Sequence, residues 1–225
     1  MTGLPELPPA PFARQDNGND LDFYAPPRLV THIDERATAA LTRYYAETIP
    51  PGAVVLDLMS SWVSHLPADL PTHEVIGHGM NATELDANPR FDRWFIQDLN
   101  RNPVLPLPDG AIDAVLCCVG VQYLARPLEV FAEVRRVLRP GGRVVVSFSN
   151  RCFPTKAVRI WLSLDVAGQA SLITTYMERS GFVAIAANML ADGTAGDPLV
   201  VVAGMRRSSY ACVLVQPYAV TRCRW

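Results

Sequence analysis

Apolar residues in the middle of the chain fall into short runs of 4–8 positions separated by longer stretches with helical spacing. Residues 53–58, Ala-Val-Val-Leu-Asp-Leu, form one such run and predict a strand buried on both faces. Further strands are predicted at 74–79, 93–97, 111–119 and 143–148. Between them, Leu29, Ile33, Ala37, Ala40, Leu41 and Tyr44 mark a helix over 29–49, stopped by Pro50-Pro51-Gly52. Asn81 can cap a helix that ends near Asn88-Pro89, and Pro127 suits the first turn of another. Leu128, Phe131, Val134, Val137 and Leu138 share a face of that second helix, which Arg139-Pro-Gly-Gly142 terminates. Helical patterns over 155–164 and 169–180 precede two closing strands at 182–187 and 198–205.

Strands alternating with helices predict an α/β fold with a mostly parallel sheet and right-handed crossovers. The link between the last two strands is too short for a crossover, so they should pair antiparallel. Ligands of such sheets bind beyond the carboxyl ends of the strands, near the point where strand order reverses. That places a site near residues 58–61, 79–81, Asp98 and 119–123. Residues 1–27, rich in Pro, Asn, Asp and Gly, suggest a flexible leader. Residues 28–206 would then form the domain and 207–225 a C-terminal extension, with an edge strand at 210–215.

Twenty basic against 22 acidic residues give a net charge of −2, which supplies no overall electrostatic footprint for nucleic acid. No apolar run is long enough to span a bilayer. The five cysteines form no C-x-x-C pair, and the four histidines have no metal-ligand spacing, so no metal site is expected. A cytoplasmic setting fits this cysteine usage, with Cys117 and Cys118 as small core residues. Serine hydrolysis lacks its G-x-S-x-G elbow. Lys156 and Arg159 read as a solvated helix face.

Three segments carry a family resemblance. Pro106-Leu-Pro-Asp-Gly-Ala-Ile-Asp-Ala-Val115, Leu138-Arg-Pro-Gly-Gly-Arg143 and Val54-Val-Leu-Asp57 resemble, in order and spacing, the class I S-adenosylmethionine-dependent methyltransferases, particularly type 11. Phe23-Tyr24, Pro27-Arg-Leu-Val30, His32-Ile33, Leu58-Met-Ser-Ser-Trp-Val-Ser-His-Leu66, Gly77-His-Gly-Met-Asn81, Gln97-Asp-Leu-Asn100 and Ser147-Phe-Ser-Asn-Arg-Cys-Phe153 resemble an atypical set of methyltransferase-like proteins of phototrophs and plants. The resemblance implies a Rossmann-like seven-stranded sheet with a C-terminal antiparallel hairpin. It also implies S-adenosylmethionine as cofactor, a small-molecule acceptor, and methyl transfer by in-line displacement.

Cofactor contacts implied in this way are Asp57, Met59, Ser60, Ser61, Gly79, Met80, Asp98, Leu99 and Val119. In this assignment Asp98 accepts from the adenine amino group, and Met80 and Leu99 pack on the ring faces. Acceptor contacts are Tyr24 and His32, in a covering segment, with Gln122 and Tyr123 after the fourth strand.

The pattern departs from the family at two places. The glycine-rich loop of the family reads here Asp57-Leu-Met59-Ser-Ser61-Trp-Val63, with side chains at all three glycine positions. A Cβ in the left-handed region costs about 1–2 kcal/mol per residue, so another loop path is expected. At the end of strand two, Gly79 stands where a ribose-binding carboxylate is usual, leaving Glu84 or Asp86 as possible replacements. A non-catalytic binding or scaffolding relative therefore remains as an alternative, and would be favoured if Met59 or Trp62 filled the cofactor cavity.

Overall fold

The computed structural model describes residues 10–208. Seven strands, β1 (Val54–Asp57), β2 (Glu74–Gly79), β3 (Arg93–Ile96), β4 (Ile112–Cys118), β5 (Leu138–Phe148), β6 (Phe182–Ala191) and β7 (Leu199–Arg206), form one sheet in the order β3-β2-β1-β4-β5-β7-β6. The pairs among β1 to β5 are parallel, and β7 runs antiparallel to both β5 and β6. This is the Rossmann-like α/β architecture with its antiparallel ending. The helices are α1 (Asp20–Tyr24), α2 (Glu35–Thr48), α3 (Ala82–Asp86), α4 (Pro127–Val137), α5 (Arg159–Ser163) and α6 (Val166–Arg179).

Alternation along the strands feeds a core on each face of the sheet. Leu56, Val115, Val144 and Val146 pack with Phe131 and Val134 of α4 and with Ile173 and Met177 of α6. Their neighbours Val55, Ala114, Leu116 and Val145 pack with Ala37, Leu41 and Tyr45 of α2. A strand covered on both sides loses its polar face, which is why β1 and β4 read as continuous apolar runs.

Two helices are shorter at their start than their periodicity suggests. Helix α2 begins at Glu35 rather than near Leu29, because the Asp34 carboxylate takes the Ala37 N–H and sets the cap. The same Asp34 locks to Asp197 by reciprocal backbone-to-carboxylate bonds of 3.1 and 2.6 Å. Residues 28–33 are thereby left non-helical, crossing the mouth of the sheet. Of the helix expected over 155–164, only Arg159–Ser163 forms.

The preceding turn does something the sequence pattern did not suggest: it buries Lys156, which is 1% exposed. Its ammonium lies 2.9 Å from carboxylate oxygens of Asp16 and of Asp20, and Asp20 also takes Arg14 Nη1 at 2.6 Å. Lys156 therefore does not lie on a solvated face, because two carboxylates and the Phe23 ring (5.0 Å) replace its water. Backbone bonds from Asp16 N to Thr155 O and from Arg159 N to Ala13 O complete the tie. Residues 10–27, expected within a loose leader, are thus packed on the domain where they are described, with Phe12 and Asp20 buried. The edge strand expected at 210–215 lies outside the described residues.

Burial alone would raise the Asp20 carboxyl, but hydrogen bonds from Arg14, Lys156 and Asn100 outweigh it and hold it below the ordinary range. Asp20→Asn should destabilise the protein by about 3–5 kcal/mol in urea unfolding, because two buried cations would keep only the half-exposed Asp16. A change under about 1 kcal/mol would show the cluster to be structurally idle.

Candidate functional site

The chain order reverses between β1 and β4, and a cavity of about 290 Å³ opens beyond the carboxyl ends of β1, β2 and β4. That is close to the lower end of small-molecule sites, roughly 300–1,000 Å³. Asp57, Met59, Ser60, Ser61, Gly79, Met80, Asp98, Leu99 and Val119 all line it. So do Tyr24, His32 and Tyr123. Gln122 does not; it is 1% exposed, and its amide donates to the Val119 and Arg151 carbonyls as an internal tie. Of the two carboxylates considered for strand two, Glu84 lines the cavity and Asp86 does not.

The loop after β1 solves its missing glycines one position at a time. Met59 keeps the left-handed backbone, with φ of 57°, whereas Ser61 and Val63 do not. The strain is therefore met once, at about 1–2 kcal/mol, and the remaining loop takes the different path anticipated for it. Two bonds offset that strain: Met59 N–H donates to His78 Nδ1 at 3.0 Å and Ser60 N–H to the His78 carbonyl at 2.7 Å.

Because Nδ1 accepts, the His78 ring proton must sit on Nε2, which faces the Gln97 carbonyl at 2.9 Å. Burial pushes His78 down to about 4, so the ring stays neutral near pH 7. The Met59 side chain turns onto Gly120, where an added Cβ would lie 2.8 Å from Met59 Cβ. Trp62 donates its indole N–H to the Val30 carbonyl and is absent from the cavity wall. Neither fills the cavity.

Gly79 has a steric reason to lack a carboxylate. A Cβ there would lie 2.5 Å from the Ser60 carbonyl oxygen. Glu84 is held instead at the cavity wall, accepting from Ser61 Oγ at 2.6 Å and from Arg28 N–H at 2.6 Å. Asp98 is 9% exposed and takes the Asn100 N–H on one oxygen. Asp57 is buried, and burial raises its carboxyl to about 6 against the pull of the Ser64 and Ser60 hydroxyls. Val119, at the end of β4, is a second strained residue with φ of 50°. A β-branched residue in that region is unusual, and such strain clusters where a site must hold its shape.

A strap formed by residues 20–33 closes over the cavity. Asn81 caps α3 with its Oδ1 and donates from Nδ2 to the Tyr24 and Ala25 carbonyls, each at 2.9 Å. Phe23, Tyr24 and His32 meet Phe153 edge-on, at 5.5, 6.2 and 6.2 Å between ring centroids. Burial pulls His32 down and takes His65 down to about 4, so both rings are neutral near pH 7. Sequence reasoning missed Arg28, Asn100 and Phe153 as parts of this wall. The resembling segments Pro27–Val30, Gln97–Asn100 and Ser147–Phe153 contained the signal, without a stated chemistry.

Among the described residues, no group of three or more His, Cys, Asp or Glu side chains could hold a metal ion. No described helix is long and apolar enough to cross a membrane. Burial raises the thiols of Cys117 and Cys118, the latter to about 12.

An α/β sheet of this order, with a cavity at its switch point, is the fold found in Rossmann-like methyltransferases. Residues 70–146 match the family model described as "Methyltransferase domain". The chain is 28% identical over 160 residues to the ubiquinone/menaquinone biosynthesis C-methyltransferase of Hahella chejuensis, covering 69% of this chain and 58% of that one. It is 35% identical over 78 residues to the thiol S-methyltransferase of Homo sapiens, covering 28% and 32%. Thus the chain spans less than two thirds of the length of these curated relatives. An S-adenosylmethionine-dependent methyltransferase from Mesorhizobium loti superposes with a TM-score of 0.54 at 17% identity, over 74% of this chain and 98% of that one. The chain shares the fold of the class I S-adenosylmethionine-dependent methyltransferases and is similar in sequence to several methyltransferases over part of its length.

Two outcomes follow from this loop. The stability advantage of the wild type over His78→Phe should be full above pH 6.5 and shrink as pH falls toward 4. Over that window the unfolded chain takes up a proton that the folded ring resists. A constant difference between pH 7 and pH 4 would contradict the neutral acceptor role. Gly79→Ala should cost about 1–3 kcal/mol by overpacking against Ser60, read as a lowered denaturant midpoint. An unchanged midpoint would show that the loop can move aside.

Proposed function

We propose that the protein is an S-adenosylmethionine-dependent methyltransferase that acts on a small-molecule acceptor bound beneath the strap of residues 20–33. The observation that carries this reading is that one cavity, left open despite the glycine-free loop, brings together Asp57, Gly79, Asp98 and Val119 from four strand ends. The residues present fit the cofactor group by group. Asp57 is a buried carboxylate at the start of the loop and suits the amino-acid ammonium. Glu84 offers a carboxylate toward the ribose hydroxyls from the helix that follows β2, in place of one at Gly79. Asp98 has an oxygen left to accept from the adenine amino group, and Met80 and Leu99 supply apolar contact.

When bound, the cofactor would supply an electrophilic methyl group on a sulfonium, for an acceptor lone pair to displace in line with the thioether sulfur as leaving group. The protein's own contribution is alignment and exclusion of water. The strap, tied down by Asn81 and Glu84, covers the mouth, and Tyr123 and Phe153 flank it. Asp57, kept near 6 by burial, is charged at pH 7 and gains a partner when an ammonium docks. Relatives carry methyl groups to sulfur and to carbon by their names, so the nucleophile itself is not carried over from them. The non-catalytic alternative would be favoured by Met59 or Trp62 plugging the cavity, but Met59 only lines it and Trp62 is absent from its wall.

S-adenosylhomocysteine at about 100 times its dissociation constant should add roughly 2.7 kcal/mol, which for a chain of this size is about 5–10 °C in melting temperature. No shift at millimolar concentration would refute the proposal. Asp98→Ala should weaken binding about 10- to 100-fold by calorimetry, the value of a charge-assisted hydrogen bond. Unchanged affinity would show that adenine sits elsewhere.

A further inference from the structure

The outer wall of the cavity has a charge that nothing in the described structure answers. Two cations line the cavity, Arg28 and Arg151. Arg151 Nε is engaged by the Asp197 carboxylate at 2.9 Å. The guanidinium of Arg28 donates once, from Nη2 to the Phe23 carbonyl at 2.9 Å. Its Nη1 is shielded from solvent and has no hydrogen-bond partner among the described residues. Three rings pack around it: the guanidinium carbon lies 4.7 Å from the centroid of Phe23, 5.4 Å from Phe153 and 5.8 Å from Tyr24. A guanidinium held in this way is prepared to bind a planar anion with little further loss of freedom.

The other carboxylates nearby are occupied. Asp20 is shared between Arg14 and Lys156, and Glu84 takes the backbone N–H of Arg28, not its side chain. These two negative groups also oppose a second negative charge beside Arg28. The three imidazoles on the wall, His32, His65 and His78, are neutral near pH 7 because burial lowers each of them, so they add no positive charge. One unpaired cation therefore suits one unit of negative charge. Around it the wall is aromatic, with Tyr24, Tyr123 and Phe153 in the lining and the last two rings stacked at 6.1 Å and 29°.

We propose that Arg28 binds the carboxylate of an aromatic acid, and that the methyl acceptor belongs to this class, with its nucleophile on a separate group of the molecule. The inference rests on the methyltransferase reading and adds the substrate class to it. Arg28 sits with Phe153, which follows β5, and with the strap. Its side chain thus lies with the strap rings and Phe153, while only its backbone N–H reaches Glu84, the carboxylate assigned to the ribose. The competing source of a carboxylate is the amino-acid end of the cofactor, and the test separates the two.

The probes are 4-hydroxybenzoate and 4-hydroxybenzamide, alike in shape and different in charge. Each is titrated calorimetrically into the full chain, with and without saturating S-adenosylhomocysteine. The acid should bind about 10- to 100-fold more tightly than the amide. Arg28→Met should abolish that preference while leaving S-adenosylhomocysteine affinity within about twofold, and Arg28→Lys should restore part of it, lacking the planar fork. Circular dichroism of both variants checks that they fold.

Equal binding of acid and amide, binding of neither, or a preference that survives in Arg28→Met would overturn the proposal. So would a loss of S-adenosylhomocysteine affinity in Arg28→Met, which would assign the guanidinium to the cofactor. If S-adenosylhomocysteine fails to bind the wild type, the methyltransferase reading fails instead, and the arm without it still reads Arg28 directly.

Discussion

The hydrogen bond from the Met59 N–H to His78 Nδ1 holds the first loop of the site in a shape that its own sequence does not favour. Without glycine, a chain leaving β1 would avoid the left-handed region at Met59, yet the cavity needs the turn there. A buried, neutral imidazole on the adjacent strand supplies an acceptor for the amide that the turn exposes. Gly120 supplies the room into which the Met59 side chain folds. The space that a glycine loop would leave empty has moved to the neighbouring strand end. The same course brings the Ser60 carbonyl against Gly79, which removes the place for a carboxylate on β2 and gives Glu84 its position facing Ser61.

A second set of constraints ties the strap to this loop system. Asn81, placed by the end of β2, both caps α3 and holds the Tyr24 and Ala25 carbonyls. Trp62 of the loop holds the Val30 carbonyl, and Asn100 beyond β3 reaches Asp20 Oδ2 and the Tyr123 carbonyl. The Arg14–Asp20–Lys156 cluster then fastens the start of the strap to the turn before α5. Cavity shape and cover thus depend on the same few polar side chains, of which Arg14, Asp20, Asn81 and Lys156 are buried and partnered, as buried polar groups must be.

The mostly parallel sheet, the closing antiparallel pair and the position of the cavity were legible because they follow from period, length and connection rules. The same holds for the Asn81 cap and Pro127 at the start of α4. Contacts distant in sequence were not legible. Lys156 at helical spacing reads as a surface residue, and only the arrival of Asp16 and Asp20 from the N-terminal segment makes its burial tolerable. Gln122 follows β4 as Tyr123 does, but a 3₁₀ turn over Val121–Tyr123 sends one side chain inward and the other to the cavity. Arg28 gave no periodic signal at all, since its role depends on rings from two distant segments, Phe23 and Tyr24 of the strap and Phe153 after β5.

The most direct test of this account is a crystal structure of the full chain with S-adenosylhomocysteine. The homocysteine end should lie beside Asp57 and Ser61, the ribose hydroxyls within hydrogen-bonding distance of Glu84, and the adenine amino group on Asp98, with Met59 still bonded to His78. A ligand bound elsewhere, or a loop that must release His78 to admit it, would contradict the claim that this strut builds the cofactor site.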